Sequence, residues 1–285
     1  MMTDLLAALH FGFLQRALIA GGSISVMCGL LGVFVVQRRL SFLGDGLAHA
    51  AFGGMGLGVF LMVTGKLPGP GAGLLRQPLW VALPFVVIIA LGIAWVRNRT
   101  RLSSDTAIGV FFAVSVALGV MLFSKIPPDA AIGFDVMDLL FGSILAVSPG
   151  DLVTIALVTA LFLLTIIFLW SRLAYATFDE ELARTDGVRT RMLEYLLFAA
   201  AAVVIVVSSL VVGIILMAAY LVIPAATARL ASPTLFHMSI LSMIIGVVST
   251  AAGMFASFLL DVPSGSTIIL VQAALFLMVA LVRRR

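Results

Sequence analysis

Cysteine occurs once in these 285 residues, at Cys28 inside an apolar run, so an intramolecular disulfide is impossible and a thiolate metal cluster is unsupported. Charge is almost as scarce, with Lys, Arg, Asp and Glu making up 11% of the chain. The net charge is +4, but no basic face interleaved with aromatics is present, which excludes nucleic acid as a partner. HExxH and GxSxG are both missing, which leaves a hydrolase without a substrate class or a recognisable centre. A GxxxxGK[ST] phosphate loop is missing too, so any ATP-driven process needs a second chain to hydrolyse the nucleotide. The opening stretch carries Asp4 where a secretory signal wants Lys or Arg, and its apolar run exceeds signal length; it reads as the approach to a first permanent span.

What the chain has in excess is hydrocarbon. Sixty-two per cent of residues are hydrophobic and the mean hydropathy is +1.24, far above the roughly 45–50% apolar content of soluble domains. Apolar runs of about 17–25 residues recur from end to end, each long enough to cross a ~30 Å hydrocarbon core as a helix. The prediction is an all-α polytopic membrane bundle of 8–9 transmembrane helices forming one transmembrane domain over residues 1–285. Spans are expected near Phe11 to Val36, Phe42 to Met62, Pro78 to Val96, Thr106 to Ser124, Asp151 to Ser171, Met192 to Val212, Gly213 to Leu230, Phe236 to Leu260 and Ser266 to Val282. Ala131 to Asp151, interrupted by Asp135, Asp138 and Pro149, suits a re-entrant or interfacial helix better than a span. Arginines at 38 and 39, at 97 to 101, at 172 to 191 and at 283 to 285 fall on one side, which should be cytoplasmic; the N-terminus is then outside and the C-terminus inside.

Within "RRLSFLGDGLAHAAFGG", Asp45 and His49 stand one helical turn apart on one face. Counting ~1.5 Å per residue from Arg39 puts Asp45 roughly 9 Å and His49 roughly 15 Å into the helix, near the bilayer midplane. Ionisable groups at that depth face a cavity or a partner. One carboxylate oxygen and one imidazole nitrogen suit a borderline divalent ion such as zinc or manganese better than sodium or potassium. The alternative is that both residues bond to neighbouring helices, the aspartate fixing the imidazole tautomer. The other histidines, His10 and His237, lie near membrane edges and are poor candidates to complete a site.

The longest connection on the arginine side, about residues 172–191, reads "SRLAYATFDEELARTDGVRTR". Thr177 and Glu180 have the spacing of a capping box, predicting a short helix that ends near Gly187. Its apolar pair Phe178 and Leu182, with Asp179 on another face, forms a knob suited to a groove on a soluble partner; a plain solvated linker is the alternative. Further on, Gly213 and Pro224 interrupt an apolar run, giving a kink or a boundary between helices and a possible hinge.

"RRLSFLGDGLAHAAFGG", "RLSSDTAIGVFF", "LLFGSILAVSPGDL", "FDEELARTDGV", "GIILMAAYLVIPAATARLA" and "LLDVPSGSTIIL", in this order, resemble the permease subunit of bacterial ABC-type zinc and manganese importers. The resemblance runs from Val35 to about Leu277. It implies a fold similar to the vitamin B12 and iron-siderophore importers, a second copy of the chain, two cytoplasmic ATPase subunits that carry the ATP, and an external metal-binding protein. It puts the chain in the bacterial inner membrane, surrounded by lipid, with no permanently bound cofactor and zinc as cargo; manganese and ferrous iron are the alternatives. Asp45 and His49 become transient metal contacts on the pathway, and Phe178 to Gly187 the coupling helix. One departure is Ala48, where members of the family often have Ser before the histidine. A reading from another class is an autonomous secondary transporter coupled to protons through Asp45.

Overall fold

A computed structural model describes residues 12–65, 78–100, 102–127, 142, 144 and 147–283. Among them are ten helices and no strand: α1 (Gly12–Gln37), α2 (Leu43–Val63), α3 (Leu79–Arg99), α4 (Ser104–Phe123), α5 (Pro149–Phe178), α6 (Glu180–Thr185), α7 (Thr190–Val212), α8 (Ile214–Ala231), α9 (Leu235–Leu260) and α10 (Ser264–Arg283). A hydrocarbon environment offers backbone N–H and C=O groups no partner, so each crossing segment must satisfy them internally, as helices do. Eight of these helices are long and apolar enough to cross a membrane; the apolar stretch of α8, Leu216–Ala231, is shorter. The expected all-α bundle is therefore present. His10 and most of the segment expected to be re-entrant lie outside the described residues, and the end of that segment, from Pro149, belongs to α5.

Burial orders the helices from centre to rim. The span of α1 is 78% buried, whereas those of α5 and α10 are 17% buried and present Phe168, Ile167, Leu270 and Val282 outward. Helix α9 runs antiparallel to α1, with Gly21 against Met254 and Ser242 bonding the Gly29 carbonyl at 2.8 Å. At mid-height Ser25, Thr250 and Tyr220 join α1, α9 and α8 through hydroxyl contacts of 2.7 and 2.6 Å. Such hydrogen bonds hold helices together where no hydrophobic drive separates helix from lipid.

Small residues set the closest approaches. Helices α2 and α4 run in the same direction in contact, and a Cβ at Gly53 would sit 2.5 Å from the Ser115 carbonyl oxygen. Gly32 of α1 faces the Leu221 carbonyl of α8 even more tightly.

The apolar run near Gly213 resolves into a boundary at the glycine and none at the proline. Gly213 has φ 91° and ψ 153°, a region essentially closed to side-chain-bearing residues, and separates α7 from α8. Pro224 stays inside a continuous α8. Its fixed φ fits the helix, and the cost is one missing backbone donor.

One end of the bundle gathers polar contacts between helix termini. Arg38 Nε donates to Thr177 Oγ1 at 3.0 Å, joining the end of α1 to the last turn of α5. Arg97 and Asn98 at the end of α3 both bond the Glu194 carboxylate in the first turns of α7, the latter at 3.0 Å. Helix α5 is longer than its expected span, beginning on a Ser148–Asp151 capping box and continuing to Phe178.

Candidate functional site

Helix α2 begins only at Leu43, after a turn through residues 40–42, and that start sets the position of the candidate pair. At ~1.5 Å per residue Asp45 lies about 3 Å and His49 about 9 Å from the helix start, so His49 stands about one third of the way along and short of the mid-height expected from sequence. Asp45 occupies the first turn, where the positive end of the helix dipole favours a carboxylate.

The two side chains meet as their spacing predicts. His49 Nδ1 is 3.0 Å from the Asp45 carbonyl oxygen and 3.3 Å from Asp45 Oδ1. Both neighbours are acceptors, so Nδ1 carries the proton and donates. In that tautomer the ring's lone pair is on Nε2, for which no hydrogen-bond partner is found among the described residues. An imidazole oriented through one nitrogen with the other free is the usual form of a histidine metal ligand. The Phe112 ring of α4 packs edge-on against it, centroids 4.8 Å apart.

Beside Asp45 is a cavity of about 290 Å³ between α2 and α4, lined by Phe42, Asp45, Gly46, Asp105, Ile108, Gly109 and Phe112; His49 is not part of its lining. Its walls are apolar apart from two carboxylates. Asp105, in the first turn of α4, is a site residue that sequence reasoning missed; its motif was visible, but only the parallel contact of α2 with α4 brings it level with Asp45. The Asp45 side chain is 40% exposed and that of His49 24%, so neither is sealed in the packing. Among the described residues no three His, Cys, Asp or Glu side chains converge to hold a metal. Asp45 and His49 therefore bring together two groups of ligand type, fewer than the four of the closed sites that retain zinc. Ala48 is fully buried, so a serine hydroxyl there would point into helix packing.

The expected coupling element takes a different form from its sequence reading. Thr177 is not a cap: its hydroxyl bonds the Leu173 carbonyl at 2.6 Å, because α5 is still helical there. Asp179 caps α6, accepting from the Leu182 N–H at 2.9 Å, and Glu180 pairs with Arg184. At the other end Gly187, at φ 82°, closes the helix, with Val188 N–H bonding the Ala183 carbonyl at 2.9 Å. Phe178 closes α5 and Leu182 lies in α6; they are 69% and 51% exposed, an apolar pair held out from the end of the bundle. Asp179→Ala is expected to cost α6 about 1 kcal/mol. Hydrogen exchange at residues 180–185 would read this as roughly fivefold faster amide exchange.

The comparisons with known proteins agree with one another. The family model described as "ABC 3 transport family" matches residues 10–283. The manganese transport system membrane protein MntC of Halalkalibacterium halodurans is 34% identical over 269 residues, covering 94% of this chain and 86% of that protein. The high-affinity zinc uptake system membrane protein ZnuB of Haemophilus influenzae is 30% identical over 275 residues, covering 96% and 99%. A chain of the solved structure of PsaBC from Streptococcus pneumoniae in complex with Fab superposes with a TM-score of 0.83 at 32% identity, covering 98% of this chain and 95% of that one.

Proposed function

This chain belongs to the ABC 3 transport family, and from that premise we propose that it is the permease of an ATP-driven importer that passes a divalent metal, zinc foremost, through the bundle. It is a multi-pass membrane permease of the manganese and zinc class. The observation that carries the assignment of the pathway is the Asp45–His49 pair, in which Nδ1 is held by Asp45 and Asp45 lines a cavity of about 290 Å³.

An external binding protein delivers the ion, and Asp45 with His49 holds it weakly enough to release it. A second copy of the chain supplies a second pair. Helix α4 supports this pairing, because Asp105, Gly109, Ala113, Ala117 and Met121 are all exposed at four-residue spacing, and small residues in such a stripe let helices approach closely. The arginine-rich end faces the cytoplasm, with the N-terminus outside and the C-terminus inside. There Phe178, Asp179, Leu182 and Gly187 dock on a separate ATPase subunit that binds the ATP. Gly213 serves as the hinge between α7 and α8, with Pro224 shaping α8.

Manganese is the second reading, favoured by the Halalkalibacterium halodurans relative. Carboxylate and imidazole donors accept both ions. The test is uptake of radioactive zinc into liposomes holding the permease, its ATPase and its binding protein, with manganese and ferrous iron as competitors. Excess manganese that abolishes zinc uptake, while zinc fails to block manganese, would reverse the order of the two metals. Uptake by the purified chain alone under a pH gradient would overturn the ATP-driven reading in favour of a proton-coupled carrier.

A further inference from the structure

We propose that Arg38 is a positioning residue that carries movement of the coupling helix α6 into the metal-holding helix α2; this rests on the coupling role assigned to α6 above. Arg38 reaches across the bundle to Thr177, whose own hydroxyl proton is committed to the Leu173 carbonyl, so Arg38 Nε takes the remaining lone pair. Thr177 stands two residues before Asp179, the cap of α6. Any displacement of α6 that tilts the last turn of α5 therefore pulls on Arg38.

On its other side Arg38 is joined to Asp45 without slack. Helix α1 ends in a closed turn in which Leu40 N–H bonds the Val35 carbonyl at 2.9 Å and Arg39 N–H bonds Val36 at 3.2 Å. Arg39 holds a left-handed φ of 56° to make that turn. Leu40 and Leu43 are fully buried, and Leu43 N–H bonds the Leu40 carbonyl at 2.8 Å, running the turn straight into α2. A turn closed by backbone hydrogen bonds and anchored by two buried leucines transmits motion where a flexible loop would absorb it.

The guanidinium also has a donor to spare. Arg38 Nη2 is buried with no hydrogen-bond partner among the described residues. Burial pulls the Arg38 group below its ordinary range and the nearby Glu194 carboxylate opposes this, while Arg97 adds to it and Glu180 offsets it. In this arrangement Glu194 is occupied by Arg97 and Asn98. The unspent Nη2 defines the second arrangement, in which Arg38 takes a share of Glu194 when α5 shifts.

The test compares Thr177→Val, which keeps the shape and removes the acceptor, with Thr177→Ser, which keeps the acceptor. Both are measured in liposomes with the ATPase and binding protein present. Thr177→Val is expected to lower metal transported per ATP hydrolysed by about tenfold, with unchanged assembly and basal ATP hydrolysis, while Thr177→Ser behaves as wild type. A Thr177→Val complex that transports at the wild-type ratio overturns the proposal, as does one whose loss merely tracks loss of assembly. Leu182→Asp separates the premise from the inference: it should release the ATPase, and if the ATPase stays bound the coupling role of α6 fails first and the role of Arg38 falls with it.

Discussion

Asp45→Asn and His49→Ala are each expected to lower metal uptake by at least about tenfold, while membrane levels and ATPase association stay at wild type. Loss even of groups that only orient metal ligands costs about 10–100-fold in affinity, and these two residues are the proposed ligands themselves. Asn keeps the volume of Asp and removes the charge that faces the cavity. Ala removes both the Nε2 lone pair and the ring that packs on Phe112. Folding should survive, because Asp45 is 40% exposed and His49 is the one side chain that meets its carboxylate among the described residues. The measurement is radioactive zinc and manganese uptake by the assembled complex, normalised to protein in the membrane. Normal transport by both variants would leave the pair as a helix-start carboxylate and its hydrogen-bonded neighbour, and the ion would have to pass elsewhere.

Gly32→Ala should instead destroy the fold locally. A single methyl group placed there lands inside the contact radius of the Leu221 carbonyl oxygen and 3.1 Å from Ala225 Cβ. Both obstacles belong to the opposing helix, and a backbone carbonyl cannot rotate aside as a side chain can. Helices α1 and α8 must separate, undoing contacts across the most buried span. Overpacking of this kind costs roughly 1–3 kcal/mol, and a backbone clash belongs at the upper end. Gly22→Ala is the control: nothing lies within 4 Å of its Cβ position, and alanine is the better helix former. In a thermal scan of detergent-solubilised protein, Gly32→Ala should lose most of its monodisperse fraction, and Gly22→Ala should match or exceed wild type. Equal stability of the two variants would show that the α1–α8 seam has room to spare.

Hydropathy located the spans because lipid imposes one requirement along the whole chain. The expected Phe236 to Leu260 is found as Leu235–Leu260, and Ser266 to Val282 as Ser264–Arg283. It misjudged α5, placing its end at Ser171, because hydropathy reports where the membrane stops and a helix continues past that point when its polar groups find partners. The same error moved the cap from Asp179 to Thr177: both residues can cap, and only the true end of α5 decides between them. Asp45 and His49 were legible because four residues on a helix fix a geometry locally. Asp105 and the Arg38–Thr177 contact were not, since the first needs the register of α2 on α4 and the second spans 139 residues of sequence. Gly213 and Pro224 looked alike in sequence. They behave differently because a proline's φ suits a helix and the glycine's φ of 91° does not.

Cys28 lies fully enclosed in the middle of α1. Maleimides, methanethiosulfonates and spin-label reagents attack an accessible thiolate, and a sulfur sealed inside a packed bundle offers them none. The native chain therefore has no background thiol to remove. A cysteine introduced on α4 or α6 would be the only group such a reagent meets, so the surroundings of the proposed pairing face and of the proposed docking helix can be followed with the native Cys28 left in place.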